Sequence, residues 1–346
     1  MSDQTTVATL STEQLVNDVL ATIDRERERE IVSRRFGLFD RKETLEQIGE
    51  MLGITRERVR QLEKSVVTRL KTQAEQGTIP HIADFEVTVT EKLQGMGQAA
   101  RVSELTAQIT PEANRIEQAR VAFLAQLCPA LVVINEDDYF HLSVAIRNKR
   151  DEKAIKTTVQ NIITAIKGLG EPKTIEEVAA AANMSDTAEV AALASTSKQL
   201  ATLNGRWGLI KWPMVNPKNI RDKIYVILKE HGQHLHFNEI AEAIKDSEFK
   251  RKDVTTQAIH NELIKDKRFV LIGRGIYALK EWGYEKGTVA DIITEVLKEA
   301  KEPLHRDEIV KRVLKSRFVK ETTILLNLQG KPQFKRVAKA TYALAE

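Results

Sequence analysis

Four short segments of this chain share one pattern, and that repetition constrains the fold more than any other feature. They are RVSELTAQI from Arg101, TIEEVAAAA from Thr174, HFNEIAEAI from His236 and HRDEIVKRV from His305. Each places a glutamate in its first turn (Glu104, Glu177, Glu239, Glu308) and an apolar residue directly after it (Leu105, Val178, Ile240, Ile309). Each is followed by an apolar run, a polar or glycine turn and an aromatic run: LVVINEDDYFHL, ATLNGRWGLIKW, FVLIGRGIYALKEW and FKRVAKATYALAE. Apolar–turn–aromatic runs of this kind predict hairpins. The pitch of roughly 60–70 residues is that of tandem modules, each burying one apolar face. Thr174 with Glu177 forms a capping box, so the glutamates are expected to cap helices and meet the positive helix N-terminus rather than to catalyse. Tyr139 or Phe140, Trp207, Tyr277 and Tyr342 are expected as core pieces of the hairpins, followed by Leu142, Leu209, Leu279 and Leu344.

A different motif precedes the repeats. The stretch TLEQIGEMLGITRERVRQLEKS, Thr44 to Ser65, has the form of a helix-turn-helix. Leu45, Ile48 and Leu52 give the first helix its apolar face, and Gly53-Ile54-Thr55 makes the turn. Thr55 is placed to cap the second helix, with no acidic partner for a full box because Arg58 stands at the third position. Val59, Leu62 and Val66 fall at helical spacing and should face inward. Arg56, Glu57, Arg60 and Gln61 then point outward and offer donors and an acceptor to base edges in a major groove. Upstream, Ser11 with Gln14 predicts a capped helix running to Ile23. The alternating charges of DRERERE predict a solvated face on the next helix, with Ile31, Val32 and Phe36 on its apolar side and Gly37 at its end.

From REREIVSRRFGLF through TLEQIGEMLGITRERVRQLEKSVVTRLK, the chain resembles region four of bacterial sigma factors of the sigma-seventy class. That resemblance implies recognition of the upstream promoter element and docking on the flap of RNA polymerase. It puts Arg56, Glu57 and Gln61 at base-contacting positions. It puts Thr44, Thr55, Arg58 and Arg60 near the phosphate backbone or partner activators. Only a short segment precedes the motif, so the regions with which sigma factors bind the second promoter element and melt DNA are not expected. Farther on, three helices followed by a two-stranded hairpin is the order of a winged helix. IRDKIYVILKEHGQHLHFNEIAEAIKD with VTTQAIHNELIKDKRFVLIGRGIYALKEW resembles the HARE-HTH module, the winged helix of the RNA polymerase delta subunit. The last repeat resembles it less closely, and the first two only in outline. Lys250, Arg251 and Lys252 precede a helix of the third repeat and form a possible second nucleic-acid patch.

The remaining composition excludes several classes. One cysteine, Cys128, rules out an internal disulfide framework and a cysteine-based zinc cluster. The turns at Gly168 and Gly273 lack the lysine and serine of a P-loop and the dinucleotide fingerprint. His234 and His236 alone are too few for a metal site. No signal peptide and no membrane span is expected. A net charge of +4 is too small to prove nucleic-acid binding by itself, so the argument rests on local charge. Linkers are expected at AEQGTIPHIADF, RNKRDEKAIK, KWPMVNPKN and KEWGYEKG.

The expected fold is mainly α with small β-hairpin wings: a helix-turn-helix domain (11–72) followed by tandem winged-helix domains at 84–147, 153–212, 218–282 and 287–346. The expected protein is a non-enzymatic, cytoplasmic, nucleoid-associated transcription factor without cofactor or metal. Its partners would be double-stranded promoter DNA and the RNA polymerase core, with no membrane and no small-molecule substrate. Two alternatives stand beside it: a delta-like polymerase accessory subunit that uses its modules for protein contact, and the targeting subunit of a DNA-processing enzyme.

Overall fold

The computed structural model describes residues 11–148, 150–249, 251, 253–284 and 286–345. Among these, 16 α-helices make up 56% of the chain, accompanied by small three-stranded antiparallel sheets. Helices α1 (Thr12–Ala21), α2 (Glu26–Phe36), α3 (Leu45–Leu52) and α4 (Arg56–Glu75) come first. Their ends are fixed locally. Ser11 with Gln14 forms the capping box of α1, and Gly37 in the left-handed conformation stops α2.

The rest of the described chain runs four times through one order: helix, short strand, two helices, two-stranded hairpin. Repeat 1 has α5 (Ile82–Gly95), β1 (Ala99–Arg101), α6 (Val102–Ile109), α7 (Arg115–Leu127), β2 (Leu131–Ile134) and β3 (Ser143–Ile146). Repeat 2 has α8 (Glu152–Leu169), β4 (Lys173–Thr174), α9 (Ile175–Ala181), α10 (Thr187–Thr196), β5 (Leu200–Leu203) and β6 (Arg206–Leu209). Repeat 3 has α11 (Ile220–His231), β7 (Leu235–His236), α12 (Phe237–Asp246), α13 (Thr256–Lys265), β8 (Phe269–Gly273) and β9 (Ile276–Leu279). Repeat 4 has α14 (Val289–Ala300), β10 (Leu304–His305), α15 (Arg306–Ser316), α16 (Glu321–Gly330), β11 (Phe334–Ala338) and β12 (Thr341–Leu344). In every sheet the second hairpin strand lies in the middle, between the first hairpin strand and the short strand.

The short strand ends on the residue that opens the next helix. Arg101, Thr174, His236 and His305 pair with Ser143, Arg206, Ile276 and Thr341 of the middle strands, and each is also an N-cap. The expected capping role of the glutamates is only half met. Glu177 and Glu239 complete capping boxes. Glu308 instead takes a 2.7 Å bond from Arg312, and Arg101 gives no side-chain cap for Glu104 to complete. All four still sit in the first helical turn, where a negative charge is favoured.

The first hairpin corrects the sequence reading. Its second strand is Ser143–Ile146, not the aromatic YFHL run, so Val144 occupies the place of Trp207, Tyr277 and Tyr342, and Ile146 that of the leucines. Tyr139 is 59% exposed, and Phe140 bridges to Ser197 of repeat 2. Tyr277 and Tyr342 are buried as expected, and Trp207 is half-buried.

The chain divides into two compact units, residues 11–211 and 212–345. In the first unit the stretch AEQGTIPHIADF does not behave as a free linker. Ile79, Ile82 and Phe85 are buried in a continuous core that begins at Leu15, includes Val66 and Leu70 of α4, and reaches Ile146 of β3. The charged run after Arg147 becomes the start of α8, with Asp151 as its cap. In the second unit a core around Ile293, Ile309, Ile324 and Leu328 belongs to repeat 4. The edge strand β8 meets the segment after α15, where the Phe318 amide donates to the Ile272 carbonyl at 3.2 Å.

Candidate nucleic-acid interface

The helix-turn-helix is held by a small apolar cluster of its own. Ile31, Ile48 and Val59 are fully buried, with Leu45, Leu52, Ile54 and Leu62 packed around them. Thr44 and Gln47 form the capping box of α3, so the Thr44 hydroxyl is engaged with the Gln47 amide at 3.2 Å. Gly53 adopts a φ of +64° and ends α3. Gly49 serves a separate purpose: a Cβ there would stand 2.7 Å from the Ile54 carbonyl oxygen, so only glycine lets the turn fold back on α3. Arg27 of α2 donates at 2.7 Å to the Leu52 carbonyl, a free acceptor at the end of α3. Thr55 caps α4 by accepting from the Arg58 amide at 3.2 Å, a single cap as expected.

These constraints set the first two turns of α4 outward. Arg56, Glu57, Arg58, Arg60 and Gln61 are all exposed, with Val59 between them turned to the core. The outward side chains form a connected polar row. Arg60 clasps Glu57 with two bonds of 2.8 and 2.7 Å, Gln61 donates to Glu57 at 3.3 Å, and Arg58 donates to Gln61 at 3.4 Å. Arg56 lies 3.5 Å from Glu46 of α3. The bonds from Arg60 hold the Glu57 carboxyl down to about 2, so this acceptor stays ionised throughout the physiological range. All of these pairs lie in solvent, where they are weak and exchangeable.

Other arginines of the region are committed to the scaffold. Arg69 of α4 reaches buried Glu28 at 2.7 Å, Arg35 reaches Glu63 at 3.2 Å, and Arg34 binds Glu43 at 2.8 Å. The arginines therefore sort into inner ties and an outer row, and the outer row is the one at Arg56, Arg58 and Arg60. Sequence reasoning missed Gly49 and Glu46. A glycine inside a helical pattern next to a turn is a signal for close backbone approach, whereas the Glu46–Arg56 contact depends on the angle between two helices.

The second candidate patch is only partly described. Lys250 and Lys252 lie outside the described residues. Arg251 is exposed, and its carbonyl accepts from Lys223 at 2.6 Å. His234 and His236 form no metal cluster among the described residues. His236 caps α12, and His234 stacks on Phe318 with ring centres 4.4 Å apart. Cys128 is buried at the end of α7, where desolvation pushes its thiol far up and leaves it unreactive. No described helix is long and apolar enough to cross a membrane.

Comparison with known proteins agrees with this geometry over one segment. Residues 25–72 match the family model "Sigma-70, region 4". RNA polymerase sigma factor sigB of Arabidopsis thaliana is 50% identical over 48 residues, 14% of this chain and 8% of that protein. RNA polymerase sigma factor SigA of a Bacillus species is 48% identical over 60 residues, 17% of this chain and 15% of its own length. The principal sigma factor HrdD of Streptomyces griseus is 36% identical over 75 residues, 21% of this chain and 22% of HrdD. The chain thus spans less than a quarter of each of these relatives, and within it residues 25–72 carry a sigma-70 region 4 domain.

Proposed function

We propose that this protein is a DNA-binding transcription factor that acts with bacterial RNA polymerase and modulates initiation. The observation that carries the reading is the outward polar row of α4 on a scaffold that matches sigma region 4. Arg56 and Gln61 read purines, Glu57 accepts from a cytosine amino group, and Arg58 and Arg60 hold phosphates. Thr44 and Thr55 sit at the helix starts beside the backbone. The region also docks on the polymerase flap, as the sigma resemblance implies. The free protein keeps the reading row paired within itself through Glu57, so contact with DNA exchanges one set of exposed bonds for another.

The four repeats are read as tandem winged helices, the last two of HARE-HTH type. Their common order, with the hairpin beside two helices, supports this. The domain limits proposed are 11–72, 84–147, 153–212, 218–282 and 287–346. The protein has no enzymatic activity of its own in this reading and works at the nucleoid. Several weak contacts on one chain reinforce each other through effective concentration.

A second reading, a polymerase accessory subunit working by protein contact, is favoured by one observation. Helix α16 exposes Leu326 and carries no lysine or arginine. The test is a tagged pull-down from native cells with crosslinked DNA sequenced. Polymerase subunits with promoter-centred reads are expected. Polymerase without any sequence preference supports the accessory reading, and recovery of neither defeats both.

A further inference from the structure

In a helix-turn-helix pair the second helix enters the major groove. In the repeats, the second helix of the pair before each hairpin is α7, α10, α13 or α16. One outward position is compared by taking residues equally far ahead of the hairpin's first strand, which starts at Leu131, Leu200, Phe269 and Phe334. The residues are Phe123, Ala192, Asn261 and Leu326. Phe123 is buried with its ring 4.9 Å from Phe36 of α2. Ala192 is buried against repeat 1, where a Cβ on Gly97 would lie 3.0 Å from the alanine methyl. The outer faces of α7 and α10 are therefore spent on packing. Asn261 and Leu326 are exposed. On α16 Leu326 is exposed beside Thr322 and Gln329, and the one charge of the helix is Glu321. On α13 the exposed residues are Gln257, Asn261 and Lys265, with Ile264 beside them at 60% exposure.

On α13, Gln257 donates to Asn261 at 3.1 Å, which sets two carboxamides one turn apart on the exposed side. Such amides match the donor and acceptor of adenine in the major groove. Lys265 ends the same helix, and Arg274 stands at the tip of the β8–β9 turn; both are exposed and neither has a partner among the described residues. The one carboxylate on α13, Glu262, is already held by Arg221 at 3.2 Å. The hairpin tip is fixed relative to α13. Gly275, at a φ of +70°, lies so close to His236 that a Cβ would meet its ring at 2.5 Å. Rings then run from His236 to Phe237 (4.4 Å), His260 (5.1 Å) and Tyr277 (6.1 Å), joining the turn to the helix.

We propose that repeat 3 carries a second duplex-DNA site, with α13 in the major groove, Gln257 and Asn261 on base edges, and Lys265 and Arg274 on phosphates. The site is independent of α4. Cys128, the sole cysteine, is buried, so single cysteines introduced as Asn261→Cys, Leu326→Cys and Arg60→Cys can carry a photocrosslinker on the full chain. With a mixed-sequence DNA duplex, the label at position 261 is expected to give DNA adducts and the label at 326 none. No adduct from 261, adducts to protein in place of DNA, or equal yield from 326 overturns the proposal. Position 60 reports separately on α4: adducts at 261 with none at 60 uphold this site and defeat the α4 reading. In a chain whose α4 row is removed by Arg56→Ala, Arg60→Ala and Gln61→Ala, Arg274→Glu is expected to weaken duplex binding about tenfold and flatten its salt dependence. Unchanged affinity overturns the proposal as well.

Discussion

Helices α4 and α10 are both second members of a short helix pair, and both are opened by a side-chain cap, Thr55 in one and Asp186 in the other. Their outer faces go to different places. The first turns of α4 carry three arginines, a glutamate and a glutamine into solvent. The α10 sequence TAEVAALAST has no cation; Ala192, Leu193 and Ala194 are buried, Ala192 against Gly97 of repeat 1. Arg101 donates to the Ser195 carbonyl at 2.6 Å, and Gly97 removes its own side chain to let α10 approach. Similar topology thus leaves a polar row in solvent in one place and packs against a neighbouring repeat in another, and the outward residues decide which.

The most disruptive way to break the contrast is Phe123→Ala. Phe123 lies in the core shared by repeat 1 and the helix-turn-helix, so its loss is expected to cost about 3–5 kcal/mol in urea denaturation of the full chain. A cost near zero would mean that α7 does not hold the helix-turn-helix. Gly97→Val comes next. The added side chain overlaps the Ala188 carbonyl at a φ of +80°, and about 3 kcal/mol should be lost, with new protease cleavage near α10. Gly49→Ala tests the turn. Helix propensity alone predicts a gain of about 1 kcal/mol. The overlap with the Ile54 carbonyl reverses the sign, and a net loss of about 1–2 kcal/mol is expected in thermal melts, together with weaker DNA binding.

On the reading side, Arg56→Ala and Gln61→Ala should each cost about 1–3 kcal/mol of specific DNA binding by fluorescence anisotropy and leave the melting temperature unchanged. The smallest effect is electrostatic. Glu57 has its folded-state value lowered, so the contribution of its pair is present above the ordinary carboxylate range and fades as pH falls towards 2. A carboxyl-detected NMR titration should place the Glu57 midpoint below the ordinary carboxylate range, and Arg60→Ala should raise it. A wild-type midpoint at the ordinary value would show the clasp to be unformed in solution.

What was legible in the sequence was local. Ser11, Thr55 and Thr174 declare helix starts because a cap bonds its own next turn. The outward row of α4 followed from helical spacing around Val59. The first hairpin was misplaced because LVVINEDDYFHLSVAI holds two runs able to form its second strand. The choice is made by β1, which pairs with Ser143–Ala145, and by Ser197, which draws Phe140 away. Burial of α10 was illegible for the same reason: an alanine-rich helix does not announce which surface will cover it. Residues 74–85 looked like a linker because Gly77 and Pro80 dominate the pattern, while the burial of Ile79, Ile82 and Phe85 depends on the first repeat.

The central claim, that the α4 row reads duplex sequence, is tested most directly by selection of random DNA duplexes on the full chain. The wild type should enrich a motif, and the Arg56→Ala, Gln61→Ala double variant should lose preference at the bases those residues contact while other positions remain. A motif identical in both proteins, or no motif in the wild type, would contradict the account.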